Sequence, residues 1–506
     1  MSKESNGSEN QTSDMERDNA PSRRRVGEQQ VIWTIWMTYG AFYFCRTNLS
    51  VALPGIEEDL GYTKTQMAGV LLALKLAYAV GQFVNGQLSE RFSPRLMLAI
   101  GMFTSAVLNV AFGFGTGLYF FIFVWACNGY FQSLGWTPCV RVIGNWIPVH
   151  RRGKAIGIVG TGYQLTAGLT FLVAGVGNLW FGWQGALFVP PVILISAAVL
   201  MVLLLRESPA DQQSVETTKQ IVVRQKGRFL TNLRLTLSNP MLWLLAVSLA
   251  MLNAVRYGFL DWGVSHLVAI EVEEFYEPVI KEKIESDATS ESDKAALAKI
   301  LAAGLSTPEG DKLRKQAIKD KILQEPAEAD KRRTTLKSAV KYAVLPIGGI
   351  FGSLLAGWAT DRFFRSRRAP VIFALLVLLG CMTLVYGPVA KSSFVATIVL
   401  LAGIGFCIYG PQVLLVGTAP ADLAREGTSA AAAGFVNSTG YFGAALMGDL
   451  LTGHLVDNYG WQTAIFVWAG WAFGAAIVVA FLWNVAGGRG DSPQAKPVPA
   501  NETKGG

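Results

Sequence analysis

Apolar runs of about twenty residues recur along this chain, each long enough for a helix to cross a hydrocarbon layer about 30 Å thick. In lipid every backbone N–H and C=O must find its partner inside the protein. A chain patterned this way therefore folds as a bundle of spanning helices. Twelve spans can be read, at about residues 31–53, 66–88, 95–115, 118–140, 154–179, 184–205, 241–269, 338–360, 370–390, 394–418, 428–455 and 462–485. Composition agrees: 51% of residues are hydrophobic and 16% are charged, which overrides the soluble domains that 506 residues would otherwise suggest.

The loops fix the count and the topology. The connections Gly113–Gly117 and Gly177–Gly185 carry no charge, and Gly387–Phe394 carries only Lys391. The opposite loops are basic, with Arg91 and Arg95; Arg151, Arg152 and Lys154; Arg224, Lys226, Arg228 and Arg234; and Arg362, Arg365, Arg367 and Arg368. By the positive-inside rule both termini are expected in the cytoplasm, with the chain a multi-pass protein of the cell (inner) membrane. The formal charge of +8 thus reflects topology and not a nucleic-acid partner. No cleavable signal segment precedes Val31, so the first span is expected to be retained. The five cysteines, Cys45, Cys127, Cys139, Cys381 and Cys407, lie in or beside apolar runs and are expected to be free thiols.

An internal repeat divides the chain. Gly81, Gly86, Glu90, Arg91 and Phe92 are echoed with the same spacing by Gly352, Gly357, Asp361, Arg362 and Phe363. These two turns lie farther apart than do Arg46 and Arg256, by about the length of one charged insert. Two six-helix halves with one insertion account for that difference. The expected organisation is a disordered tail at 1–30, a helical bundle at 31–205, a linker at 206–240, a second bundle at 241–485 and a tail at 486–506. A helical insert at 271–337 would face outward. The fold expected is all-α, with twelve transmembrane helices in two pseudo-symmetric six-helix bundles. Glu90, Arg91, Asp361 and Arg362 would form salt bridges that rearrange as the halves rock, so they read as gating residues.

Arg46 and Arg256 are each the sixteenth residue of a span, if those spans start near Val31 and Met241. Both therefore lie roughly 22 Å in, near mid-membrane. A cation is costly there and should face an internal cavity. Two forked, permanently charged guanidinia at one depth suit a phosphate group. Lys75 lies at a matching depth, with Tyr78 on its face, and would add a third cation for a dianion. Tyr39 and Tyr43 precede Arg46 by two turns and one turn. Gln132 and Trp136 lie in a Gly- and Pro-interrupted fourth span, and Tyr409 lies in its counterpart, the tenth. All are expected to line the cavity. Asp449 and His454 can titrate, but their place late in the eleventh span suggests a helix-end or gate role. No nucleotide-binding loop, metal-ligand cluster or nucleophile–base pair occurs. No catalytic site, metal or cofactor is expected.

The sequence resembles the organophosphate:phosphate antiporters of the major facilitator superfamily. The resemblance is carried by Cys45-Arg46-Thr47-Asn48-Leu49, by Phe131 to Cys139, by Arg256 to Trp262 and by Ile408-Tyr409-Gly410-Pro411. It implies alternating-access exchange of a sugar phosphate, glycerol phosphate or phosphoglycerate for inorganic phosphate, by a monomer in the lipid bilayer. Arg46 and Arg256 would hold the phosphoryl group. The chain departs from the glycerol-phosphate branch at Gln82, where a lysine is usual, and at Tyr163, where a histidine is usual. The alternatives are a proton- or sodium-coupled organic-anion symporter and a membrane sensor of external phosphoesters.

Overall fold

The structure, a computed structural model, describes residues 27–89, 91–209, 234–364, 367–424 and 429–484. Outside them lie most of both tails, the middle of the linker with Arg224, Lys226 and Arg228, and Glu90 and Arg365. All the regular structure described is helical. The first span is α1 (27–41), a 3-10 turn Phe42–Cys45, and α2 (Leu49–Leu60). The second and third spans are α3 (Lys64–Leu88) and α4 (Pro94–Gly113). The fourth is α5 (Leu118–Gln132) followed by α6 (Trp136–Trp146). Helices α7 (Val149–Phe181) and α8 (Gly185–Leu204) complete the first half.

The second half opens with α9 (Pro240–Glu285). Two short helices follow, α10 (Glu291–Ala303) and α11 (Pro308–Lys319). Then come α12 (Glu328–Phe363) and α13 (Ala369–Ser392). The tenth span is α14 (Phe394–Val413), a π turn Leu414–Thr418 and α15 (Ala419–Leu423). The eleventh is α16 (Ser429–Gly443), a π turn Ala444–Leu450 and α17 (Leu451–Tyr459), and α18 (Trp461–Ala480) is the twelfth. Eight stretches are long and apolar enough to cross a membrane without interruption, and one of them, 154–204, holds two spans. The first, fourth and eleventh spans are broken internally, so unbroken length does not register them. Large apolar side chains such as Phe103, Leu203 and Phe351 stand exposed on the outer surface, as a lipid-facing belt requires.

Local sequence explains where the helices start and stop. Thr63 and Gln66 form a reciprocal capping box at the start of α3, and Ser93 caps α4 with Pro94 in its first turn. Asn239 with Pro240 does the same for α9. Gly61 ends α2 at φ +70°, a left-handed conformation that glycine adopts without penalty.

The halves meet through small residues and a few polar clasps. A Cβ on Gly168 of α7 would fall 2.6 Å from the Ala343 carbonyl of α12, so these helices pack backbone to backbone. Gln164 Nε2 donates to Ser353 Oγ across the same contact at 2.9 Å. On the insert side, Asp457 of α17 accepts from the backbone N–H groups of Lys64 (3.1 Å) and Thr65 (2.7 Å), and from Thr65 Oγ1 (2.6 Å). A carboxylate from one half thus caps a spanning helix of the other.

The insert is continuous with its neighbours. Helix α9 runs past the membrane to Glu285, α12 begins at Glu328, and α10 and α11 fold between them. Tyr276, Ile280, Leu297, Ile300, Leu305, Ala317 and Leu323 form a small core of its own. Lys331 gathers Glu325 (2.7 Å), Glu328 (2.9 Å) and, from the opposite half, Glu58 (2.8 Å).

Candidate functional site

Arg46 stands where the first span breaks, between the 3-10 turn and α2. A broken helix leaves carbonyls without their i+4 donors, and buried side-chain amides replace them. Gln132 Nε2 donates to Phe42 O (3.0 Å), Cys45 O (3.3 Å) and Ser105 Oγ (2.7 Å). Asn128 and Asn109 donate to Cys45 O at 2.9 and 3.2 Å. Gln132 Oε1 then accepts from Arg46 Nε at 3.0 Å. The fully buried Gln132 amide is therefore consumed in aiming Arg46, where the sequence reading had it facing substrate. Arg256 is a mid-helix residue of α9 and is 3% exposed.

Neither arginine forms an ion pair among the described residues. Buried Arg46 Nη2 and Arg256 Nε lack hydrogen-bond partners. Tyrosine faces surround both charges instead. Arg46 Cζ lies 4.6 Å from the ring centroids of Tyr43 and of Tyr78. Arg256 Cζ lies 4.8 Å from Tyr257 and 5.0 Å from Tyr409. Two aromatic arms close the circuit. In one, Tyr43 stacks on Tyr163 (5.1 Å), which lies 6.4 Å from Tyr409. In the other, Tyr78 contacts Tyr441 (5.1 Å), which lies 6.4 Å from Tyr257. Six tyrosines thus link one arginine from each half. Tyr39 lies behind this ring, 5.9 Å from Tyr163 and 4.8 Å from Trp136, so both support it from outside.

Lys75 opens into the same cavity as Arg46, Tyr78, Tyr257, Asp261 and Tyr441. Its charge is already paired: Nζ donates to Asp261 Oδ2 at 2.6 Å and to Asp449 Oδ2, and lies 4.3 Å from the Tyr257 ring centroid. In this conformation it is not the free third cation that its depth suggested. Asp449 is fully buried, away from the helix-end position expected for it, while His454 is exposed beside Asn458. Asp449, Tyr441, Tyr257 and Tyr163 were not among the expected lining residues. For Tyr257 the signal was its place next to Arg256, and for Tyr441 its position between Gly440 and Gly443 in a small-residue helix. Only the tertiary fold joins Asp449 to Lys75.

Of the gating residues, Arg91 and Arg362 are exposed on the side opposite the insert. Glu90 and the Asp361 side chain lie outside the described residues. Arg141 of α6 holds the first of these turns, donating to Phe92 O at 2.8 Å and to Ser89 O. Among the described residues no group of three or more His, Cys, Asp or Glu side chains could hold a metal ion.

The comparisons with known proteins agree with this architecture. A family model described as the Major Facilitator Superfamily matches residues 35–273 and 342–504. The chain is 28% identical to the glycerol-3-phosphate transporter of Bacillus subtilis (strain 168), over 93% of this chain and 95% of that one. It is 26% identical to the probable hexose phosphate transport protein of Chlamydia trachomatis, over 90% and 91%. Among solved structures, the nucleoside transporter NupG superposes with a TM-score of 0.61 at 13% identity, covering 90% of this chain and 99% of that one.

Proposed function

This chain belongs to the Major Facilitator Superfamily, and on that premise we propose that it exchanges a phosphorylated organic metabolite for inorganic phosphate by alternating access. One observation carries the reading: two arginines, one from each half, hold unpartnered buried N–H groups toward a shared ring of tyrosines. A lone buried guanidinium is costly unless an anion completes it. Phosphate oxygens accept from guanidinium forks, and tyrosine hydroxyls can donate to those that remain. The relatives' names supply the substrate class: glycerol 3-phosphate for one and a hexose phosphate for the other. Beside the arginines, the cavity toward Lys75, Tyr257 and Asp261 would take the organic part.

The transporter reading assigns no chemistry to the chain, which acts as a monomer and not as an enzyme. The termini lie in the cytoplasm and the insert outside the cell membrane, a topology supported by the alternation of basic loops. An anion bound between the halves favours their closing over it. Release on either side then requires the Asp457 clasp, or the turns at Arg91 and Arg362, to part.

Proteoliposomes loaded with phosphate test this directly. Uptake of labelled phosphate should require internal phosphate, and a phosphoester of the right class should compete for it. Arg46→Lys and Arg256→Lys should each lower exchange roughly ten- to a hundred-fold, corresponding to loss of about 1.5–3 kcal/mol of charge-assisted hydrogen bonding. Near-normal flux in either variant removes the clamp. Binding without flux would replace transport with sensing.

A further inference from the structure

The group at Lys75 is unbalanced. One ammonium faces two carboxylates, Asp261 and Asp449, and the three side chains are 3%, 8% and 0% exposed. Lys75 comes from α3 of the first half; the acids come from α9 and from the π turn of the eleventh span, both in the second. That π turn adds a residue to the helical turn carrying Asp449 and so sets its side-chain direction. Asp449 Oδ2 accepts from Lys75, whereas its buried Oδ1 has no hydrogen-bond partner.

Among the described residues, Asp449 is paired with no cation but Lys75. From α3 it faces Lys75, and from α9 it faces Asp261, with Tyr257 lying over the lysine. Its own span contributes Tyr441 two turns earlier, and His454 and Asp457 beyond it. His454 is exposed, and Asp457 caps α3 at the clasp. Helix α16, packed against this turn, adds no titratable group besides Tyr441, and α18, which follows α17, carries none. Asp261 borders the cavity and Asp449 does not, so Asp449 is the carboxylate with less access to water.

Resting on the anion site above, we propose that Asp449 takes up a proton when the phosphate group binds, so that this protein moves its anion together with a proton. The cavity joins Lys75 to Arg46, and a dianion docking at Arg46 draws the lysine ammonium toward itself. Asp449 then loses its counter-charge in a sealed site. It becomes a neutral carboxylic acid by receiving a proton through Asp261, the carboxylate that borders the cavity; cavity water supplies that proton and the bulk buffer replaces it. No covalent bond other than that O–H forms. In the reverse step the anion leaves, Lys75 returns and the proton is released on the same side. Linkage makes the effect reciprocal: protons strengthen anion binding as much as the anion strengthens proton binding.

The experiment adds inorganic phosphate to the purified full-length protein in weakly buffered detergent. Calorimetry follows binding, and a pH indicator counts protons, for the unmodified protein and for Asp449→Asn at the same pH. The difference between the two cancels phosphate's own titration. Unmodified protein should take up about one proton more per phosphate bound than the variant. Equal proton counts with binding intact overturn the proposal and leave the anion site standing. Failure of the unmodified protein to bind phosphate overturns both. A second readout needs no variant: phosphate binding should produce the infrared C=O band of a protonated carboxyl in the unmodified protein, and its absence overturns the proposal.

Discussion

Gln132 has all its polar atoms engaged in repairing the break in the first span and in directing Arg46. Gln132→Ala removes the side-chain donor to the Phe42 carbonyl and one of three side-chain donors to Cys45 O. It should destabilise the protein by about 1–3 kcal/mol, read as a lower midpoint in thermal unfolding. Gln132→Glu loses the same donor and sets a carboxylate oxygen against the Phe42 and Cys45 carbonyls, so its unfolding midpoint should fall at least as far. In the folded fraction the new carboxylate would pair with Arg46, so phosphate binding, measured by calorimetry, should fall at least tenfold, a loss of about 1.4 kcal/mol or more. At this scale the sequence was partly legible. Two arginines at one depth were readable from helix rise alone, because charge in lipid is rare enough to carry meaning. The partners of Lys75 were not readable, since Asp261 and Asp449 reach it from distant segments. Nor was the direction in which Gln132 points, which depends on carbonyls freed by a break that hydropathy does not report.

At the scale of elements, glycine sets how closely helices approach. A Cβ on Gly263 of α9 would lie 1.8 Å from the Tyr342 ring of α12, whose hydroxyl joins those of Tyr386 and, through it, His266. Gly263→Ala should therefore abolish accumulation of folded protein, and adding Tyr342→Ala should restore part of it, as fluorescence-detected size-exclusion chromatography would show. The insert's corner depends on charge. The hydrogen bond from Lys331 to Glu325 holds that carboxyl below its ordinary range. A carboxylate with a depressed pKa contributes stability above its unfolded value, near 4.3, and loses it as pH falls through the folded one. Acidification below about pH 4 should lower amide protection factors (exchange rates corrected for the intrinsic pH dependence) across 320–335, and Glu325→Gln should flatten that dependence. Nine of the twelve spans announce themselves by length. Those broken by 3-10, turn or π segments were still found, because loop charge fixes parity even where a helix is interrupted. The breaks themselves lie where the site is built, and there local preference yields to tertiary packing.

Across the whole molecule, the repeat of glycine, acid and arginine turns disclosed two halves, but not how they are clasped. The Asp457 cap on α3 must part whenever the cavity opens toward the insert. Asp457→Ala removes hydrogen bonds to a charged group, a class worth about 1.5–3 kcal/mol, and should shift the population toward that opening. In a cysteine-free background, Ala68→Cys, which packs beside Gly453, should then react several-fold faster with an impermeant maleimide applied from that side. Helix α9 turns such rearrangements into a visible signal. It continues as one helix from Arg256 to Glu285, about 44 Å at 1.5 Å per residue. A tilt of ten degrees at the binding site would swing its tip by roughly 8 Å, treating it as a straight rod. A dye fixed there would act as the needle of a gauge, reporting each turnover from well outside the lipid.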